Sequence, residues 1–313
     1  MHIPVKVYEN VTREEFNNEI HPKRLPALLR GLNIGECTYK WTSNYICNKV
    51  ENVDVKVHVC SSPQMDFISK NFMYKTLPFH ELLRRASAPF SEKKDYFISP
   101  GEYYYLRSLG FDRRGKDAAD IKKQFPTLAQ DIIFPDFFDD EDFHSSVFRI
   151  GSPGVQLWTH YDVMDNLLIQ VHGKKRMALF SPSEALNMYL EGDKSRVIDI
   201  DNPNIHDYPK FVEAQRYECI MEPGDILFIP ALWFHNALAL DFGIAVNVFW
   251  KNLKHELYDR KDPYGNKDPI PANKALQMVE NASKLLDTLP VEYKDFYIKR
   301  MITILEKKSG EAQ

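Results

Sequence analysis

Asn166-Leu167-Leu168-Ile169-Gln170-Val171-His172-Gly173-Lys174-Lys175-Arg176-Met177-Ala178-Leu179-Phe180 is the stretch on which the fold turns. Two apolar runs, 166–171 and 175–180, flank Gly173-Lys174, a pair of the kind that places glycine first in a two-residue hairpin turn. If the runs pair across that turn, His172 faces Lys175. Alternation then puts Asn166, Leu168 and Gln170 on one face with Lys175, Met177 and Leu179. An amide and a lysine would share a buried wall. Such a lysine requires an anion, which a ligand carboxylate would supply.

The same rhythm extends outward. Short apolar runs separated by turn residues recur at 147–150, 155–159, 166–171, 175–180, 226–230 and 243–250, which predicts an antiparallel barrel or jelly roll. Upstream, Thr12 and Glu15 read as a capping box opening a helix to about residue 20. Strands are expected at 26–32, 53–60 and 103–106, and a helix at 77–86 through Leu77, Leu82 and Leu83. Downstream of Lys251, a connector rich in Asp, Lys, Pro and Gly leads to two amphipathic stretches. Leu276, Val279, Ala282, Leu286 and Leu289 recur at helical spacing, and beyond Pro290 so do Phe296, Tyr297, Met301, Ile304 and Leu305. Such a helical hairpin must bury its stripe on the β domain or on another subunit. The expected fold is mainly β with helices: a jelly roll with its N-terminal elements over 1–252, then a connector and C-terminal helical hairpin over 253–313.

Composition narrows the function classes. A chain of 313 residues with 44% hydrophobic and 27% charged residues describes a globular protein with a sizeable core. Four cysteines without CxxC spacing are too few for a disulfide framework, so a soluble protein of a reducing intracellular compartment is expected, the cytoplasm before the nucleus. The longest apolar stretch, 226–234, is about half a membrane span, and the first ten residues have no secretory pattern. A net charge of −4 gives no overall attraction to phosphate backbones and no reason to expect DNA binding. Locally the balance differs, because residues 55–123 hold 13 Lys/Arg against 8 Asp/Glu while 126–147 hold six acids and no base.

His160 and Asp162, in Leu157-Trp158-Thr159-His160-Tyr161-Asp162, are two apart and share a face of an extended strand. With ten histidines and 44 acids such a pair arises about once by chance, so its weight comes from context. Glu222-Pro223-Gly224-Asp225 launches a second apolar block that ends in Trp233-Phe234-His235-Asn236, where His235 is the candidate third ligand. Two imidazoles and one carboxylate on one side of a metal, with open positions opposite, form the facial triad of non-haem iron(II). Zinc is the rival metal, because the same side chains can hold it with a water. His58, His144, His172 and His206 read as structural or surface residues.

These motifs resemble the JmjC-type hydroxylases, double-stranded β-helix (cupin-like) oxygenases. The resemblance implies that His160, Asp162 and His235 hold Fe(II), that Lys175 and Tyr105 take the distal carboxylate of 2-oxoglutarate, and that Asn166 and Asn247 are further co-substrate contacts. O₂ is the implied oxidant. One departure stands at Leu157, where some relatives have a threonine contacting the co-substrate. Residues 65–72, 104–110, 156–170, 228–236 and 264–269 resemble the hydroxylases of tRNA wybutosine synthesis, which implies hydroxylation of a wybutosine precursor beside the anticodon of phenylalanine tRNA. For that substrate the basic stretch becomes a backbone-binding surface, with Lys70, Lys75, Arg113, Arg114 and Lys116 as phosphate contacts and Phe72 or Tyr74 as a stacking ring. The alternatives are a JmjC protein hydroxylase or lysine demethylase, a non-catalytic binding module, which should lack a ligand, and a zinc-bound cupin. The C-terminal hairpin suggests a homodimer.

Overall fold

The computed structural model of the chain describes residues 2–88, 101–112 and 116–310. Its centre is β8 (Asp165–His172), buried at every position but the last. Both of its faces are covered, so its polar side chains Asp165, Asn166 and Gln170 are buried along with its apolar ones.

β8 belongs to a sheet whose order is β2 (Lys6–Glu9), β3 (Ala27–Arg30), β13 (Ile226–Ile229), β8, β15 (Gly243–Trp250), β7 (Phe143–Gly151), β6 (Tyr103–Arg107), β4 (Asp54–Cys60) and β5 (Phe72–Pro78). A smaller sheet runs β1 (Ile3–Pro4), β12 (Arg216–Met221), β9 (Lys175–Phe180) and β14 (Phe234–Ala239). β10 (Leu190–Glu191) and β11 (Lys194–Ser195) form a separate pair. Inside the sandwich, Leu168, Leu227 and Ala245 of the large sheet pack with Met177, Leu179 and Met221 of the small one. The other face of the large sheet, through Leu167, Ile169, Val246 and Val248, packs against Phe16, Trp41, Phe79 and Leu82 of the flanking helical segments. Phe180 and Phe234 cover the far side of the small sheet together with Met188, Val197 and Phe211.

The two runs around Gly173-Lys174 are not a hairpin. β8 bonds to β13 and β15, whereas β9 bonds to β12 and β14, so the turn carries the chain from one sheet to the other. Gly173 has φ +70°, and a Cβ there would meet the Phe242 carbonyl oxygen at 2.1 Å. Lys174 N–H donates to Asp241 Oδ2 at 3.1 Å, which ties this corner to the one between β14 and β15. Leu168 therefore does not share one sheet face with Met177 and Leu179, but the three still pack together, because inward faces of opposed sheets meet across the interior.

Three other expectations change. Residues 155–159 are not a strand: among them Gln156 makes isolated bridges, to Gln64 and Leu238. Leu77 lies in β5, and the helix after it is Phe79–Ser87. β5 escaped the sequence reading because its apolar Met73 and Tyr74 are exposed, leaving weak alternation. Thr12 does accept from the Glu15 N–H, after which the helix widens into a π-turn, Phe16–Ile20, that buries Phe16 and Ile20.

The chain divides into two compact units, 1–255 with 260–266, and 256–259 with 267–313. The second contains helices Ile270–Leu285 and Val291–Gly310, joined through a 3₁₀ turn, Leu286–Thr288. Pro290 precedes the second helix, its carbonyl accepting from the Tyr293 and Lys294 N–H groups. Leu276, Val279, Phe296 and Ile304 are exposed. No described helix is long and apolar enough to cross a membrane.

Candidate metal centre and its pocket

His160 lies outside the named strands but is bridged to the second residue of β14. The His235 N–H donates to the His160 carbonyl at 2.8 Å, and the His160 N–H returns to the His235 carbonyl at 3.2 Å. Each imidazole Nδ1 lies 3.0 Å from a backbone carbonyl, that of Trp158 for His160 and of Trp233 for His235. A ring that donates through Nδ1 leaves Nε2 as the free lone pair, the arrangement a metal ligand needs. His235 Nε2 is 3.4 Å from Asp162 Oδ2, and one ligand atom from each of His160, Asp162 and His235 lies within 4.8 Å of the others. Burial, reinforced by neighbouring His235, pushes the His160 pKa down to about 3, so that ring is neutral. Leu232, at φ +71°, makes the left-handed turn into β14, and its N–H donates to the Asp162 carbonyl at 2.8 Å. The group can hold a metal ion. Two nitrogens and one oxygen on one side fit an octahedral cation with its other positions open.

Behind the triad is a chain of polar groups. Arg149 donates from Nη1 to the Tyr105 hydroxyl and from Nε to Asn247 Oδ1, and Asn247 Nδ2 donates to Asn166 Oδ1 at 3.0 Å. Asn166 Nδ2 is buried without a partner. Lys175 lines a recess of about 30 Å³ with Tyr105, Arg149 and Leu157. Burial, and then the charge of Arg149, pushes the Lys175 pKa down to about 7. Among the described residues no carboxylate forms an ion pair with either cation. A recess with two cations and a phenol, joined through Asn247 to an orphaned amide, fits a carboxylate-bearing ligand.

In front of the triad opens a cavity of about 260 Å³. Phe67 stacks on Trp158 with ring centroids 3.5 Å apart. Tyr74 and Tyr264 supply further aromatic wall, each beneath a cation: Lys56 is 4.1 Å from the Tyr74 ring and Arg107 is 5.0 Å from the Tyr264 ring. His58, buried with Nδ1 3.2 Å from the Tyr105 carbonyl, also lines this wall, and burial drives its pKa down to about 4.

The structure thus brings His160, Asp162 and His235 together and links Tyr105, Asn247 and Asn166 through Arg149, with Lys175 beside them. Of the expected phosphate contacts, Lys70 and Lys116 are exposed, while Lys75 is held by Glu102 at 2.8 Å. Arg113 and Arg114 lie outside the described residues. Phe72 packs into a cluster with Met65, Tyr105 and Val155, whereas Tyr74 reaches the cavity. The sequence reading missed Arg149, Arg107, Trp158 and Tyr264. Two signals were available: Arg107 shares a strand face with Tyr105 by the two-residue period, and Arg149 is a charge inside the otherwise apolar run 147–150. Leu157 lines the Lys175 recess with an apolar surface, and Arg149 supplies the polar contacts there.

The pattern of a cupin-like domain matches residues 13–256. The tRNA wybutosine-synthesizing protein 5 of Danio rerio is 56% identical over 307 residues, 98% of this chain and 93% of that protein. The Homo sapiens protein of the same name is 56% identical over 308 residues, 98% of this chain and 97% of its own length. The tRNA wybutosine-synthesizing protein 4 of Gibberella zeae is 36% identical over 285 residues, 89% of this chain but 26% of that larger protein.

Proposed function

Because the chain belongs to the cupin-like domain family and, along nearly its whole length, to that of the tRNA wybutosine-synthesizing protein 5, we propose that it is an Fe(II)- and 2-oxoglutarate-dependent hydroxylase of a wybutosine precursor in phenylalanine tRNA. The observation that carries the chemistry is the His160–Asp162–His235 group with a carboxylate recess behind it and an aromatic cavity in front.

His160 and His235 hold the metal through Nε2 and Asp162 through its carboxylate. When bound, iron and 2-oxoglutarate supply the oxygen chemistry: O₂ gives one atom to succinate and one to the substrate carbon, with loss of CO₂. Lys175 and Arg149 neutralise the distal carboxylate of the co-substrate, the Tyr105 hydroxyl orients it, and Asn166 presents its free N–H. Trp158 and Phe67 keep water from the reacting face, and Tyr74 and Tyr264 offer rings against which a planar base stacks. Lys70 and Lys116, with Arg113 and Arg114, contact the RNA backbone. The exposed apolar residues of the C-terminal helices join two copies, so light scattering at micromolar concentration should give twice the mass of one chain, and a monomer overturns this part. The proposed compartment is the cytoplasm, where tRNA is met.

The test is to incubate the protein with Fe(II), 2-oxoglutarate and tRNA from wybutosine-making cells, then measure nucleoside masses. The expected result is a gain of one oxygen on the precursor that disappears in Asp162→Ala. Turnover on a peptide, with no gain on tRNA, would replace the RNA reading with a protein hydroxylase. Loss of turnover with zinc bound after anaerobic purification would remove the iron.

A further inference from the structure

His160 and His235 fix one another through the two backbone hydrogen bonds between them. Asp162 has no such support of its own. It lies outside every named strand, in the link 161–164 between that bridge and β8, and its carbonyl accepts from the Leu232 N–H of the turn 230–233 that leads into β14. Where its carboxylate stands relative to the two imidazoles is therefore decided by how the link meets the turn. Both segments are fastened to one residue outside the site. Arg24 closes the 3₁₀ turn His21–Lys23 and donates from Nη1 and Nη2 to the two carboxylate oxygens of Asp165, the first residue of β8, at 2.9 and 2.5 Å. Its backbone carbonyl accepts from the Trp233 indole N–H at 2.8 Å. Trp233 is in turn the residue whose carbonyl receives the His235 Nδ1. Asp165 adds a further tie by accepting the Ala231 N–H at 2.8 Å.

The backbone of Arg24 carries a second sign. It stands at φ +51°, uncommon for a residue with a Cβ, and such strain persists where the surroundings over-determine it. Asp165 is fully buried and Trp233 nearly so, so the bonds they make run through dry protein, where they are stiff. We propose that Arg24 is a positioning residue for the metal centre: by holding Asp165 with its side chain and Trp233 with its carbonyl, it sets the segment that carries Asp162 against the segment that carries His235. It touches no ligand. It acts as the outer partners of a metal site do, by fixing where the ligands stand before the ion arrives. A pair that serves stability alone looks different. Arg30 donates from Nε and Nη2 to Asp225 at 3.0 and 3.2 Å, and this joins the end of β3 to the turn before β13 without reaching a ligand segment.

This rests on the metal centre of the proposed function, and one experiment separates the two. Binding of Co(II) alone to the metal-free full chain is followed by calorimetry and by the visible absorption of the bound ion, with Asp162→Ala marking the signal that belongs to the triad. Arg24→Gln should weaken Co(II) binding by about tenfold or more and alter the absorption, the usual consequence of losing an outer partner. Arg24→Lys, which keeps a charged donor, should recover part of the affinity. Trp233→Phe, which cuts only the indole bond, should weaken binding in the same direction by less. Arg30→Gln loses an ion pair of the same kind, and it should keep the native affinity and spectrum. Native Co(II) affinity in Arg24→Gln, or an equal loss in Arg30→Gln, overturns the positioning role and leaves the metal centre standing. Should Arg24→Gln fail to fold, Trp233→Phe decides: weakened binding supports the role and native binding overturns it. A native chain that binds no Co(II), or binds it as well after Asp162→Ala, overturns the metal centre and the inference with it.

Discussion

At the scale of single residues, the recess behind the triad makes a testable statement about protons. The Lys175 pKa is pushed from the ordinary lysine range to about 7 by burial and by Arg149. Because the folded value is the lower one, the charged lysine destabilises the empty fold in full below pH about 7, and this penalty fades as pH rises toward the unfolded value near 10.5. A carboxylate ligand reverses the preference, so binding above pH 7 must take up a proton. Calorimetry of 2-oxoglutarate binding at pH 8, run in buffers of different ionisation enthalpy, should show uptake approaching one proton in the native protein and almost none in Lys175→Met. Equal buffer dependence for the two would refute the role. Arg149→Ala should weaken the same binding by about tenfold or more, since it removes a charge-assisted donor. His160, Asp162 and His235 were readable from residue type and order. Arg149 was signalled only as a charge inside the apolar run 147–150, and its link to Tyr105 and Asn247 became legible only with its cross-strand neighbours known.

At the scale of elements, two connections hold the site in place. The first is the turn between β8 and β9. Gly173→Ala would put a Cβ into the Phe242 carbonyl at a left-handed φ, and should cost about 2 kcal/mol or more of unfolding free energy in urea titration. The second is Asp165, fully buried and three residues beyond Asp162. It accepts from Arg24 at 2.9 and 2.5 Å and from the Ala231 N–H at 2.8 Å, and lies 2.7 Å from His21 Nε2. Burial raises its pKa, but Arg24 and His21 outweigh this and hold it below the usual carboxylate range. The depressed value means that its contribution is present above the unfolded pKa near 4 and is lost as pH falls below it. Asp165→Asn should cost about 3 kcal/mol, the lower end for breaking a buried pair because Arg24 is a third exposed. Its acid unfolding limb should also be shallower. No change in either measurement would show the clamp to be idle. The apolar runs of β8 and β9 were legible in the sequence, but their partners were not: a glycine-first pair looks the same whether it closes a hairpin or turns a corner between sheets.

At the scale of the whole molecule, a chain with net charge −4 can hold RNA only through a local basic surface. Affinity for tRNA should therefore fall steeply between low and moderate salt, and Lys70→Glu with Lys116→Glu should flatten that slope; a salt-independent affinity would remove the surface. By itself the sequence determined the fold class, the order of the three candidate metal ligands and the presence of two C-terminal helices, because each follows from local periodicity or from residue type at short spacing. Only the tertiary structure decided that β8 and β9 lie in opposed sheets, that Arg149 joins Tyr105 to Asn247, and that Arg107 stands opposite Arg149 across the β6–β7 ladder. Those relations depend on which distant strands are neighbours. Strand pairing is set by the packing of two sheets around one interior, and local periodicity carries no record of it.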